Sequence, residues 1–161
     1  MDTLKQARQL LEHVTPMKSD CGALCSGICC SEAEGDGMVL LPGEEKFYEG
    51  ADWCEILQRG QDKILVCRGT CPRENRPFAC RIFPICVNVT EDKTTVGIEP
   101  LAKSICPLCD HGLKGLDREF RDAAKQAFRI LLADETYRAH YKRLTDERIA
   151  AFDDPLFKGL I

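Results

Sequence analysis

The sequence predicts a small, irregular α+β domain. Its cysteine-rich core is expected to be tied by metal and to carry short strands, packed by an N-terminal helix and long C-terminal helices. Three observations carry that reading. Eleven cysteines lie among 161 residues, four of them within the run Cys21-Gly-Ala-Leu-Cys25-Ser-Gly-Ile-Cys29-Cys30. Between residues 20 and 112, short runs of strand length are separated by Gly- and Pro-containing turns. From residue 116 an apolar stripe with helical spacing takes over. A chain of this length is most simply one domain. Residues 1–112 then form the cysteine-rich part with its N-terminal helix, and residues 113–161 a helical layer of the same domain.

Residues 2–15 read as an amphipathic helix, because Leu4, Ala7, Leu11 and Val14 recur at helical spacing. Asp2 or Thr3 can cap it and Pro16 ends it. In the cysteine run that follows, Gly22 and Gly27 loosen the backbone, and the acidic stretch 31–37 reads as a solvated loop. Residues 38–41 are a short strand candidate stopped by Pro42 and Gly43. Glu44 to Leu57 has no clear period, and Phe47, Tyr48, Trp53 and Ile56 are expected to fold back onto the core. Residues 63–67 read as a strand running into a second group, Cys67, Cys71, Cys80 and Cys86, in a stretch expected to be mostly turns around Pro72, Pro77 and Pro84. Residues 87–90 and 94–98 make a hairpin. Leu116, Phe120, Ala123, Ala127, Ile130 and Leu131 predict a helix over 116–132, and Asp134 can cap another that carries Tyr137, Tyr141 and Leu144 on one face.

The formal charge is −4, and residues 1–112 alone hold 12 Lys and Arg against 17 Asp and Glu. Thiolates would make that part more negative, which argues against general nucleic-acid binding, since that needs a basic stripe. No apolar run approaches the roughly 18 residues of a membrane-span candidate, and the N-terminal residues lack a secretory signal. The expected location is cytoplasmic, with no membrane partner. A reducing compartment turns dense cysteines from disulfides towards metal or redox work, and an odd count forbids complete intrachain pairing.

On a helix, Cys21, Cys25 and Cys29 would step round by only about 40° each time. In a loop, the glycines would let the backbone curl around an ion. Either geometry converges three thiols, while Cys30, adjacent to Cys29, points elsewhere and serves a second site or packs inward. Free cysteines also serve as small core hydrophobes, but four in ten residues make a poor core. In the second group, Arg76 and Arg81 are placed to offset thiolate charge as outer donors to sulfur. Phe78, Phe83 and the prolines could wall the site from water. One arrangement shares a site among Cys21, Cys25, Cys29 and Cys80. Its rival has two local sites, Cys21, Cys25, Cys29 and Cys30 on one ion and Cys67, Cys71, Cys80 and Cys86 on another. Cys106-Pro-Leu-Cys109 is a third element, a knuckle of the kind that aims two thiols at one ion. Cys86, Cys54 or His111 could supply its further ligands. Reading the same pair as a redox dithiol is disfavoured, because Gly112 and Gly115 separate it from the helix that such a motif opens.

The run Cys-x3-Cys-x3-Cys-Cys, followed by Arg76-Pro77-x2-Cys80-Arg81-x-Phe83-Pro84, resembles the cysteine-cluster family described as zinc- or iron-chelating. A related segment occurs in flagellin N-methylase. The resemblance covers roughly residues 20 to 90. It implies that Cys21, Cys25, Cys29, Cys30 and Cys80 belong to a metal-binding constellation completed by Cys54, Cys67 or Cys71. The chain departs from that pattern in its extra cysteines around Cys67 and Cys71, and nothing extends the match to a methylase active site.

With Cys86, Cys106 and Cys109 added, all eleven cysteines are candidate ligands. Cys-x3-Cys spacing fits an iron–sulfur cluster somewhat better, whereas zinc favours Cys-x2-Cys pairs. The expected function is non-enzymatic: a cytoplasmic protein that stores, senses or carries a metal or cluster, or uses it as a structural cross-link. The alternative is a redox enzyme or electron carrier with a cysteine-ligated cluster. A substrate pocket or open coordination position beside the metal would favour that alternative.

Overall fold

The computed structural model describes residues 2–30, 37–69, 71 and 73–153. Most of the acidic loop expected at 31–37 therefore lies outside the described residues. The chain is an α+β protein with two small antiparallel sheets.

Helix α1 spans Thr3–Leu10 and is shorter than the apolar period suggests. The Asp2 carboxylate accepts the Leu4 N–H at 3.0 Å, satisfying one of the free donors of the first turn. Leu4, Ala7 and Leu11 are buried, and Val14 reaches the same core from beyond the helix end. After the single turn α2 (Gly22–Cys25) comes the sheet β1 (Met38–Val39), β2 (Cys54–Arg59) and β3 (Asp62–Cys67), in the order β1-β3-β2. Strand β2 falls in the stretch without a clear period. Pairing makes it a strand, from Cys54 opposite Cys67 to Arg59 opposite Asp62, with Gly60 at φ 57° in the turn. Strand β1 is shorter than expected: Leu40 still donates its N–H to the Lys63 carbonyl of β3 at 2.9 Å, and Leu40 and Leu41 are buried beyond the strand's end. Just before it, a Cβ on Gly37 would lie 2.5 Å from the Leu65 carbonyl oxygen, so only glycine fits that close approach.

Helix α3 (Phe78–Ile82) stands where turns were expected, entered from Pro77, whose fixed φ suits a helix start. The peptide bond between Phe83 and Pro84 is cis. Strands β4 (Ile85–Val89) and β5 (Thr94–Ile98) form the expected hairpin. Helix α4 spans Arg118–Leu131, and the Asp117 carboxylate accepts the N–H groups of Glu119 and Phe120 at 2.9 and 3.3 Å. Asp134 plays the same part for α5 (Glu135–Asp153), accepting the Thr136 N–H at 2.9 Å. Removing the α4 cap in Asp117→Ala is expected to cost about 1 kcal/mol, read as a lower urea midpoint. An unchanged midpoint would show that water serves those two N–H groups equally well.

The main core joins α1, α3, α4 and the β4–β5 hairpin around Phe78, Phe120, Phe128 and Leu131. Phe128 makes edge contacts with Phe78 at 6.0 Å and with Tyr141 of α5 at 5.6 Å. The N-terminal helix and the C-terminal helices thus share one interior. That core contains no cysteine. A smaller cluster of Leu40, Tyr48, Cys54 and Leu65 contains one. The expected cysteine-rich core is not confirmed, although Cys54, Cys71, Cys86 and Cys109 are buried. Aliphatic and aromatic side chains from the regular elements fill the interior, and most of the thiols sit in the turns beside it.

One buried carboxylate locks these parts together. Glu44 is fully buried, and its Oε1 accepts Arg8 Nη1 at 2.6 Å and the Phe78 N–H at 2.7 Å. Its Oε2 accepts the Leu41 N–H at 3.1 Å. The same Arg8 nitrogen reaches the Tyr48 hydroxyl at 2.7 Å. Glu44 thereby fixes the start of α3, and with it Cys80, against α1 and the chain leaving β1.

Candidate metal centre

Beside the core lies a cavity of about 1050 Å³. Its walls come from the segment 21–30, the end of β3, the stretch 71–84 and the turns at 101–108. Eight of the eleven cysteines line it: Cys21, Cys25, Cys29, Cys30, Cys67, Cys71, Cys80 and Cys106. All eleven are free thiols.

The leading group takes the loop form rather than one continuous helix. Cys21 precedes α2 and Cys25 ends it, with the Cys25 sulfur 3.7 Å from the Cys21 carbonyl oxygen. Ser26 at φ 53° and Gly27 at φ 65° then break the helix and turn the chain into the short 3-10 segment Ile28–Cys30. There the sulfurs of Cys29 and Cys30 stand 4.0 Å apart. They titrate as a pair: the hydrogen bond from Cys29 favours the Cys30 thiolate, assisted by Arg76 against partial burial, and Cys29 is held protonated.

The remaining thiols have identifiable neighbours. Burial pushes Cys80 well above the thiol range, and the charges of Cys30, Cys71, Cys67 and Glu44 add to this. Cys67 is pushed up to about 11 by burial, then by Cys71 and Cys30. Cys54, buried opposite Cys67 on β2, is raised chiefly by burial. On the other side, burial and Asp20 raise Cys21, with further contributions from Cys25 and Cys106. Cys109 is buried and pushed up to about 12 by burial and by Cys106, to which it is hydrogen bonded. The Cys109 N–H also donates to the Cys106 carbonyl at 3.0 Å, the tight turn expected of this knuckle. Cys86 faces away, buried on β4 near Arg148 and Glu99, and does not line the cavity. His111 is exposed and lines no part of it.

The two arginines divide the work. Burial disfavours the Arg76 charge, but a hydrogen bond to Cys71 and the charges of Cys30 and Cys80 outweigh that. Its Nε is buried with no hydrogen-bond partner among the described residues. Arg81 turns to the backbone instead. Its Nε donates to the Arg76 carbonyl at 2.8 Å and its Nη2 to the Glu74 carbonyl, so it braces the turn that presents Arg76.

Sequence reasoning missed the apolar rim. Leu24, Ile28, Leu101 and Ile105 are exposed, at 55, 44, 70 and 39 %, and all four line the cavity. They sit in single short turns of helix or just beyond one, too short for any periodicity to mark them.

Among the described residues, no three His, Cys, Asp or Glu side chains stand close enough to hold one ion. The donor set nevertheless suits a soft metal in number and chemistry: many thiols on one cavity, with the half-buried Arg76 guanidinium placed to offset thiolate charge. Burial above all, and mutual repulsion after it, raises most of these thiols, and a bound metal would reverse that balance by deprotonating its ligands. No helix among the described residues is long and apolar enough to cross a membrane. No family model, no curated protein and no solved structure matches the chain.

Proposed function

We propose that this is a metal-binding protein whose cysteine-lined cavity holds zinc or an iron–sulfur cluster. The observation that carries the reading is that eight thiols, from four separate stretches of chain, face one cavity beside Arg76. Eight cysteines sharing a wall are hard to explain as packing, because the hydrophobic core is complete without them. Such thiols would supply the soft ligand set, Arg76 would moderate its charge, and Arg81 would hold Arg76 in place. The resemblance to the zinc- or iron-chelating cysteine-cluster family points the same way.

A second reading, that of a redox enzyme or electron carrier using a cysteine-ligated cluster, is favoured by one feature. The cavity is larger than thiol ligands alone require and is bordered by exposed apolar side chains, giving room for a small molecule or a partner's side chain beside the metal.

Metal analysis with absorption spectroscopy on anaerobically prepared protein tests both readings. Stoichiometric zinc in colourless protein selects a zinc site. Iron and sulfide with broad visible absorption, bleached by a reductant, selects a cluster and admits the redox reading. Protein that carries no metal, and takes up neither zinc nor iron with sulfide, sinks the proposal.

A further inference from the structure

We propose that the exposed apolar rim of the cavity is a docking surface for this chain's own residues 154–161, which lie outside the described residues. Three observations identify that occupant: the apolar surface gathered at the rim, the direction in which α5 delivers the chain, and the composition of the segment itself. The inference concerns what covers the cavity and does not depend on what its thiols bind.

Six large apolar side chains are exposed among the described residues, and four of them, Leu24, Ile28, Leu101 and Ile105, line this one cavity. They come from two stretches distant in sequence, and neither hydrophobic cluster includes them. Apolar side chains scattered singly over a surface are ordinary, but four gathered on one cavity mark a place that another apolar surface covers.

Helix α5 carries the chain towards that place. Along α5, Lys142 pairs with Glu91 in the turn of the β4–β5 hairpin, Thr145 Oγ1 accepts the Val89 N–H at 3.0 Å, and Arg148 reaches both Asn88 and Glu99. The contacts thus move from the tip of the hairpin to its base as α5 proceeds. At the base the Glu99 N–H donates to the Pro84 carbonyl at 2.9 Å. Phe83 and Pro84, which lead into the hairpin, and Leu101 and Ile105, which follow it, are walls of the cavity. The five residues from Arg148 to the end of α5 at Asp153 add only about 7.5 Å, whereas eight extended residues span up to about 26 Å. Leu101 and Ile105 are therefore within reach of the segment that follows. Pro155 accounts for the helix ending where it does, because the residue before a proline is disfavoured in the α region.

Residues 154–161 read Asp-Pro-Leu-Phe-Lys-Gly-Leu-Ile, with large apolar side chains at Leu156, Phe157, Leu160 and Ile161. Half of the segment gains by leaving water, and the rim gains by being covered. Charge favours the same pairing, since Lys103 stands exposed between Leu101 and Ile105 and the segment opens on Asp154. A second copy of the chain, or a separate protein, would have to displace a segment tethered beside the rim, with the high effective concentration that a short tether confers. Docked there, residues 154–161 would also shield the exposed Cys29 and Cys30, which follow Ile28, from solvent.

Hydrogen–deuterium exchange read by mass spectrometry, on the purified full chain and on its Phe157→Asp and Leu160→Asp variants, tests the docking without altering any residue of the cavity wall. In wild type the amides of 24–30 and 101–106 are expected to exchange roughly tenfold more slowly than in either variant, whereas those of α4 should not differ. Equal exchange of both stretches in all three proteins would overturn the proposal. A photoreactive benzophenone side chain in place of Phe157 locates the occupant directly, and irradiation should join it to 24–28 or 101–105 within a single chain. Cross-links between two chains would assign the surface to a second copy, and cross-links to neither stretch would leave the rim to another partner; either result sinks the proposal. Metal content is measured on the same samples, and its absence would remove the metal-binding reading while leaving this one standing.

Discussion

Glu44→Ala is expected to lower the unfolding free energy by roughly 3–5 kcal/mol, the cost of breaking a buried ion pair from one side. The substitution strands Arg8, whose side chain is only 12 % exposed, and removes the acceptor of the Phe78 and Leu41 N–H groups. Glu44→Gln keeps the shape and one carbonyl acceptor but not the charge, so its loss should be smaller, about 1–3 kcal/mol. Urea unfolding followed by circular dichroism measures both. Equal midpoints for wild type and Glu44→Ala would mean that water can replace the carboxylate, contradicting its complete burial. The same oxygen receives Arg8 and the first N–H of α3, so on the proposed metal-binding reading Glu44→Ala should additionally weaken metal retention through Cys80.

On the metal-binding reading proposed above, stripping the metal is the second large perturbation. A ligand that binds only the folded state, present at 1,000 times its Kd, stabilises by about 4 kcal/mol. For a chain of this size, that corresponds to a fall of roughly 10 °C in Tm. The loss should be uneven. The main core holds no cysteine, so α4 and the β4–β5 hairpin are expected to keep their slow amide exchange. Residues 21–30 and 73–76 should lose protection first, since among them no side chain is buried in the hydrophobic core. The idea fails if a chelated, metal-free chain melts at the holoprotein's temperature, or if α4 opens before the cavity wall does.

Much of the architecture was legible in the residues. The hairpin 87–98 and both C-terminal helices follow from their alternation, period and caps, because local signals and tertiary packing agree there. Two elements and the end of a third were not legible, because packing with distant parts of the chain decides them. Strand β2 has no clean alternation, and pairing with β3 makes it a strand. Helix α3 lies between prolines and gains its first acceptor from Glu44, 34 residues earlier. Helix α1 stops at Leu10 although its apolar period continues to Val14, which packs on the core without being helical. At the candidate site, the identity of the important residues was plain from the density of cysteines and the Arg-Pro segment. Their grouping was not. Spacing along the chain does not reveal that Cys106 comes round to the cavity that Cys21 lines, or that the sulfurs of Cys29 and Cys30 stand 4.0 Å apart.

The pairing of α1 with α4 has a consequence for how this chain emerges from the ribosome. An eight-residue helix is too short to persist alone in water, and the face carrying Leu4, Ala7 and Leu11 is covered by α4, more than a hundred residues later. At typical synthesis rates of about 5–20 residues per second, the N-terminal segment waits several seconds or more without its partner. Throughout that interval the thiols of residues 21–30 are held by neither flank, and Cys106 is the last of the eight cavity cysteines to appear. Closure of the cavity is therefore a late event in biogenesis, and the nascent chain passes through a stage in which its most thiol-rich segment is open to whatever metal or oxidant the surroundings contain.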